Sequence, residues 1–222
     1  MVWQMQKFAN FPKRRVLVFG DSNTYGYNPE TDGRYGDDER FACRMQAALG
    51  DGWTVIEEGL PGRTAVFDDP MNEGLCGLDL IAPLMLSHAP LDTVLIMLGT
   101  NDSKARFGCG SYLIARGLVR LARKACQTQD AWRTQPDVLL VCPAPIRPEY
   151  AQRMFAEQMG PGCDVRAAGL ADALEPMARE AGLRFFDAGR VPGVEVHPLD
   201  GMHLTREAHA ALADALVKEL IR

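Results

Sequence analysis

Hydrophobic positions along this chain follow two alternating rhythms. Five short apolar runs, Val16 to Phe19, Trp53 to Ile56, Thr93 to Leu98, Val138 to Cys142 and Leu183 to Phe186, are each too short for a helix, and Gly, Pro or Asp closes each within a few residues. Longer stretches of helical spacing separate them. Val165, Ala168, Ala171, Leu174, Met177 and Ala178 predict one helix, with Asp164 placed as its N-cap and Gly182 just past its end. Leu204, Ala208, Ala211, Leu212, Ala215, Leu216 and Leu220 make the apolar stripe of a C-terminal helix, with Glu207 near its positive end. Strands alternating with helices in this way predict βαβ units and a five-stranded parallel sheet covered on both faces.

No internal repeat, low-complexity tract or linker interrupts the pattern, so residues 1–222 are expected to form a single domain. A chain of that length buries roughly 70% of its unfolded surface, enough for a full core and a recessed site. In an open parallel sheet, ligands bind beyond the carboxyl ends of the strands. The polar clusters that follow the first three runs, Gly20-Asp21-Ser22-Asn23, Gly59 to Thr64 and Gly99-Thr100-Asn101-Asp102, are therefore expected to meet on one edge.

Composition narrows the class of partner. The net charge is −5, and no basic block is longer than Lys13-Arg14-Arg15, which argues against nucleic acid or a membrane surface. The first fifteen residues lack the continuous apolar core of a secretory signal, and no stretch approaches the roughly 18 apolar residues of a membrane span, so a cytoplasmic protein is expected. Six cysteines are scattered without CxxC spacing, as reduced thiols would be.

Four clusters carry candidate chemistry. In the first turn, Gly20 allows a sharp bend that sets Ser22 at a helix start; a serine there needs a nearby base and oxyanion donors to react. Its alternative is a plain helix cap. In DGMH, Asp200 and His203 are three residues apart around Gly201, a spacing that brings a carboxylate to one imidazole nitrogen and leaves the other free to take a serine proton. His88 and His209 read as surface or packing residues. His197 allows a rival reading in which His197, Asp200 and His203 hold a metal, but the spacing matches neither HExxH nor a zinc finger, and no metal or other cofactor is expected. In GTND, Asn101 ends the third strand, where its amide either donates to an oxyanion or, like Asp102, holds a turn. Gly62, after a proline, either offers its backbone N–H or serves a type II turn.

Taken together, GDS, the EGLPGRT turn, GTND and DGMH, in that order, make the chain resemble the SGNH (GDSL-like) hydrolase family from about Val16 to the C-terminus. VIEEGLPGRT, Asp68-Asp69-Pro70, IMLGTND with Lys104, and FFDAG are similar to its arylesterase and acyltransferase branch. The resemblance implies a flavodoxin-like three-layer α/β/α sandwich. It also implies a Ser22, His203 and Asp200 triad, an oxyanion hole of the Ser22 and Gly62 amides with the Asn101 side chain, and action on small-molecule ester substrates through an acyl-enzyme. Aryl acetates are the expected type, with acyl transfer to alcohols or peroxide as a second activity and a homo-oligomer as the assembly. Two positions depart from the pattern. Asn23 stands where the name-giving leucine of GDSL sits and changes the wall beside Ser22, and Gly62 occupies a position where relatives carry another small residue. Tyr25 and Tyr27 fall where the branch carries aromatic residues near the acyl pocket, so Asn23, Tyr25 and Tyr27 are expected at the substrate. A carbohydrate acetylesterase or a thioesterase fits the same motifs. A non-catalytic flavodoxin-like binding module is the rival from another class, and the chain lacks both G-x-G-x-x-G and G-x-x-x-x-G-K-[ST] after its first strand.

Overall fold

A computed structural model describes residues 10–222; the start of the segment compared above with a secretory signal lies outside the described residues. In chain order the elements are β1 (Arg14–Gly20), α1 (Ser22–Tyr25), β2 (Tyr27–Asn28), β3 (Gly33–Arg34), α2 (Phe41–Leu49), β4 (Trp53–Gly59) and α3 (Gly77–Ser87). They continue with β5 (Thr93–Met97), α4 (Ser111–Gln127), β6 (Val138–Cys142), α5 (Ala156–Met159), α6 (Cys163–Ala168), α7 (Leu170–Glu180), β7 (Arg184–Asp187) and α8 (Arg206–Leu220).

Five strands form one parallel sheet in the order β4-β1-β5-β6-β7, and β2 pairs with β3 in a separate antiparallel ribbon. The twofold period of the strands sorts their side chains. Leu17, Phe19, Val94, Ile96 and Leu140 pack with α3, α4 and α7 on one face, while Val16, Val18, Leu95, Met97, Leu139 and Val141 pack with α2 and α8 on the other. The result is the expected three-layer α/β/α arrangement. Successive strands are added first on one side of β1 (β4) and then on the other (β5, β6, β7), so the crevice for ligands opens beyond its carboxyl end.

Two expected boundaries differ. The second strand continues past Ile56 through Glu57 and Glu58, because β4 is a half-buried edge strand whose carboxylates find partners: Arg40 Nε lies 2.9 Å from Glu57, and His88 Nε2 lies 2.7 Å from Glu58. The single helix expected over Val165 to Ala178 is two helices that meet at Gly169, a residue whose added Cβ would lie 2.8 Å from Ser111 Oγ. Val165 is exposed rather than facing the core. Asp164 sits inside the first turn of α6, and Gly162, in the left-handed region, precedes the helix. Gly182 ends α7 as expected, with its N–H donating to the Arg179 carbonyl and that of Leu183 to Ala178.

Close approach explains the glycines at the strand ends. A Cβ on Gly20 would lie 2.0 Å from Thr24 Oγ1, and one on Gly59 would lie 2.1 Å from the Tyr25 backbone nitrogen. These two glycines let α1 nest between the ends of β1 and β4.

Candidate active site

Ser22 begins α1, directly beyond β1, and is 6% exposed. Its Oγ lies 2.8 Å from His203 Nε2, and His203 Nδ1 lies 2.7 Å from Asp200 Oδ2. The motif at the front of the chain and the motif near its end therefore meet. The local folding of the DGMH segment makes this contact. Gly201 takes a positive φ of 74°, and Asp200 Oδ1 accepts from the backbone N–H groups of Met202 (2.9 Å) and His203 (3.0 Å). One oxygen thus holds the turn while the other faces the imidazole. Burial alone would raise the Asp200 pKa, but the hydrogen bond and charge of His203 and the two amides outweigh it and hold the carboxyl below its usual range. With Nδ1–H directed at a carboxylate, Nε2 can accept the Ser22 proton.

Gly62 and Asn101 lie in the chain beyond the carboxyl ends of β4 and β5. Gly62 has a φ of 89°, and its N–H has no acceptor among the described residues. The loop that carries it is pinned to β1: Leu60 N–H donates to the Gly20 carbonyl at 3.2 Å, and Arg63 Nη1 donates to the same oxygen at 2.8 Å and also to the Glu58 carbonyl. Burial lowers the Arg63 pKa to about 10 against the pull of Glu58 and Asp21. Asn101 is 8% exposed, and its carboxamide makes no hydrogen bond among the described residues, so it does not close the Asx turn it was weighed against.

Asp102, considered only as a turn former, reaches instead across to the Gly62 loop. Its Oδ1 and Oδ2 accept from Ala65 N–H at 2.9 and 3.1 Å, and burial together with the nearby Asp21 charge raises its pKa to about 7. A second tie lies further along. Lys104 Nζ, fully buried, donates to Asp69 Oδ2 at 3.1 Å, and Asn72 Nδ2 donates to the same atom at 3.0 Å. Burial would raise the Asp69 pKa, but these donors and the Met71 amide lower it. Lys104 and Asp69 each carried part of the resemblance, yet nothing in their spacing signals that they pair. Such contacts between loops 35 residues apart have no local sequence signature.

The three residues expected at the substrate occupy different places. Tyr27 packs its ring 4.5 Å from that of His203, and Phe155 lies 5.6 Å from His203 and 5.9 Å from Tyr27. These two aromatic rings form a wall beside the imidazole. Tyr25 lies under the Arg34 guanidinium, 4.3 Å away, on the side of the β2–β3 ribbon. Asn23 is 4% exposed and bonds to the backbone on either side of His203. Between Pro143 and Gly162, Met159 is buried with Tyr150, Cys163 and Met202, Phe155 is half-buried and Met154 is exposed.

The remaining histidines are committed elsewhere. His197 Nε2 lies 3.3 Å from Glu30, and its Nδ1 accepts from Leu199 N–H at 3.2 Å. His209 is buried between Tyr35 and Phe41, and its Nδ1 accepts from Phe41 N–H at 3.3 Å. Among the described residues no group of three His, Cys, Asp or Glu side chains could hold a metal ion, and no helix is long and apolar enough to cross a membrane. All six cysteines are free thiols.

Comparison with known proteins places the chain in a family. The sequence profile of the GDSL-like lipase/acylhydrolase family matches residues 18–211. A carbohydrate acetylesterase from Sinorhizobium meliloti is 35% identical with a TM-score of 0.83, covering 94% of this chain and 99% of its own. The native aryl esterase of M. smegmatis is 33% identical with a TM-score of 0.82, covering 94% and 98%. A lipolytic protein of the G-D-S-L family from Veillonella parvula, 17% identical with a TM-score of 0.65 and covering 94% and 99%, shares the fold. No curated protein sequence matches the chain.

Proposed function

Because this chain belongs to the GDSL-like lipase/acylhydrolase family and is an ester-hydrolysing enzyme, we propose that it cleaves short-chain acyl esters of the aryl acetate type through an acyl-enzyme on Ser22. The observation that carries this reading is the unbroken row from Ser22 Oγ through His203 to Asp200, with spacings of 2.8 and 2.7 Å. Ser22 Oγ attacks the ester carbonyl while His203 Nε2 takes its proton, and the imidazolium returns that proton to the departing alcohol. Asp200, held as a carboxylate, fixes the ring and faces the imidazolium as it forms in the reaction. The Ser22 and Gly62 amides and the Asn101 carboxamide receive the oxyanion. Water, activated by the same imidazole, then releases the acid. An alcohol or peroxide in place of water makes the reaction an acyl transfer. The close wall of Tyr27 and Phe155 favours a small acyl group.

Covalent labelling tests this directly. A fluorophosphonate is expected to abolish hydrolysis of p-nitrophenyl acetate with a single adduct on Ser22, and Ser22→Ala is expected to be folded and inactive. An adduct on another residue with complete loss of activity would overturn the assignment.

A carbohydrate acetylesterase is the second reading, favoured by the 35% identical structure from Sinorhizobium meliloti that bears that name. It shares the acetyl half of the substrate and differs in the leaving group. The ratio of kcat/KM for sugar acetates to that for aryl acetates separates the two. The proposal also takes the chain as one domain acting as a cytoplasmic homo-oligomer. Light scattering that gives only a 24.4 kDa particle at working concentrations rejects the oligomer.

A further inference from the structure

We infer that Asn23 is a positioning residue for His203, a role that rests on the esterase reading above. Its carboxamide does two things at once. Nδ2 donates to the Met202 carbonyl at 3.3 Å, and Oδ1 accepts from the Leu204 N–H at 2.8 Å. Those groups belong to the two peptide units that flank the His203 Cα, so one side chain holds both planes and with them the direction in which the imidazole leaves the backbone. The carboxamide acts here as a backbone edge would.

Asn23 is itself held. Its N–H donates to Asp21 Oδ1 at 3.0 Å, and its side chain is buried with the amide satisfied at both ends. The residue next to Ser22 thus ties the nucleophile turn to both sides of His203, across 179 and 181 positions of sequence. Of the other bonds to the histidine segment, those from its amides to Asp200 and from His197 N–H to the His203 carbonyl at 2.6 Å stay within it, and that from Arg147 N–H to the Gly201 carbonyl at 2.8 Å ties it to the chain beyond β6 rather than to the Ser22 turn. They shape the loop without setting its distance from Ser22. Leucine, the residue the family pattern puts at this position, has a similar branch but neither donor nor acceptor, so Asn23→Leu removes both bonds at nearly constant volume.

The test uses the full chain and the variants Asn23→Leu and Asn23→Ala. For each, p-nitrophenyl acetate kinetics, melting temperature and the downfield proton resonance of the His203 Nδ1–H are recorded. A slack imidazole misaligns proton transfer more than substrate binding, so kcat is expected to fall about 10- to 100-fold with KM changed less than about 3-fold. The downfield resonance is expected to broaden or shift. If Asn23→Leu does not fold, the smaller Asn23→Ala decides. Parent kcat with an unmoved resonance in either folded variant overturns the inference, even if the melting temperature falls, because that pattern belongs to a scaffold residue. Failure of the esterase reading shows differently. The parent would then neither hydrolyse the ester nor take the fluorophosphonate on Ser22, while the resonance, recorded without substrate, would still report whether Asn23 holds the ring.

Discussion

At the residue scale, the site divides into side chains whose polar atoms are all satisfied and side chains left with a free donor. Asp200 and Asn23 belong to the first group, and their bonds set direction. Gly62 and Asn101 belong to the second, since neither the Gly62 N–H nor the Asn101 carboxamide is used by the described residues. A donor without a protein partner is available to a ligand. In the proposed reaction the oxyanion calls for it. Asn101→Ala is therefore expected to lower kcat by roughly 100- to 1,000-fold, about 2.7 to 4 kcal/mol, with KM little changed. Its melting temperature should hold, because no hydrogen bond within the fold is removed. A destabilised variant with kcat intact would return Asn101 to the scaffold. Sequence reading could bring Ser22, His203 and Asp200 together because each sits in a short motif after a strand or before a helix. It could not give Asn23 its two bonds, because they depend on how α1 and the histidine turn come together.

At the scale of elements, the site exists because the carboxyl ends of β1, β4 and β5 converge and α1 drops between two of them. Gly59 is where α1 backbone comes closest to the sheet. A methyl group there meets backbone, at 2.1 Å from the Tyr25 nitrogen and 2.6 Å from the Thr24 carbonyl carbon, so no side-chain rotation relieves it. Gly59→Ala must push α1, and Ser22 with it, away from the sheet. Overpacking of this kind costs about 3 kcal/mol, and the melting temperature is expected to fall roughly 6 to 12 °C. Activity should fall further than the folded fraction accounts for. A Gly59→Ala variant with parent stability and kcat would show that α1 is not seated as described. The strands were legible because each is an apolar run bounded by a breaker. Their edges were less so: β4 extends through Glu57 and Glu58 only because Arg34, Arg40 and His88 meet those carboxylates from other elements. The break at Gly169 was hidden because Val165 keeps helical spacing with the residues after it while pointing at solvent.

At the scale of the whole molecule, buried ionisable groups link stability to pH in opposing directions. Asp21 and Asp102 lie under the site with pKa values raised by burial to about 6 and about 7. Each binds its proton more tightly when folded, so its stabilising contribution is complete below the unfolded carboxyl value of about 3.9 and is lost as pH rises through 6 to 7. His209 works the other way. Burial, seconded by Arg40, His203 and Arg44, lowers its pKa to about 3, and the neutral ring accepts from Phe41 N–H. Its contribution is complete above the unfolded histidine value of about 6.5 and is lost as pH falls toward 3. From about 6.5 to about 3 the full swing is at most about 5 kcal/mol. His209→Gln isolates it, since the amide oxygen can still accept from Phe41 N–H but does not titrate. At pH 7.5 the variant is expected to melt below the parent, because stacking against Tyr35 and Phe41 is lost. Between pH 6.5 and 4 the parent should lose stability faster, so the two melting curves converge and can cross, while the titration of every carboxylate common to both cancels in the difference. Parallel curves across that window would mean that His209 is solvated or charged in the folded protein. In that case α8 does not seal against α2 as it does here.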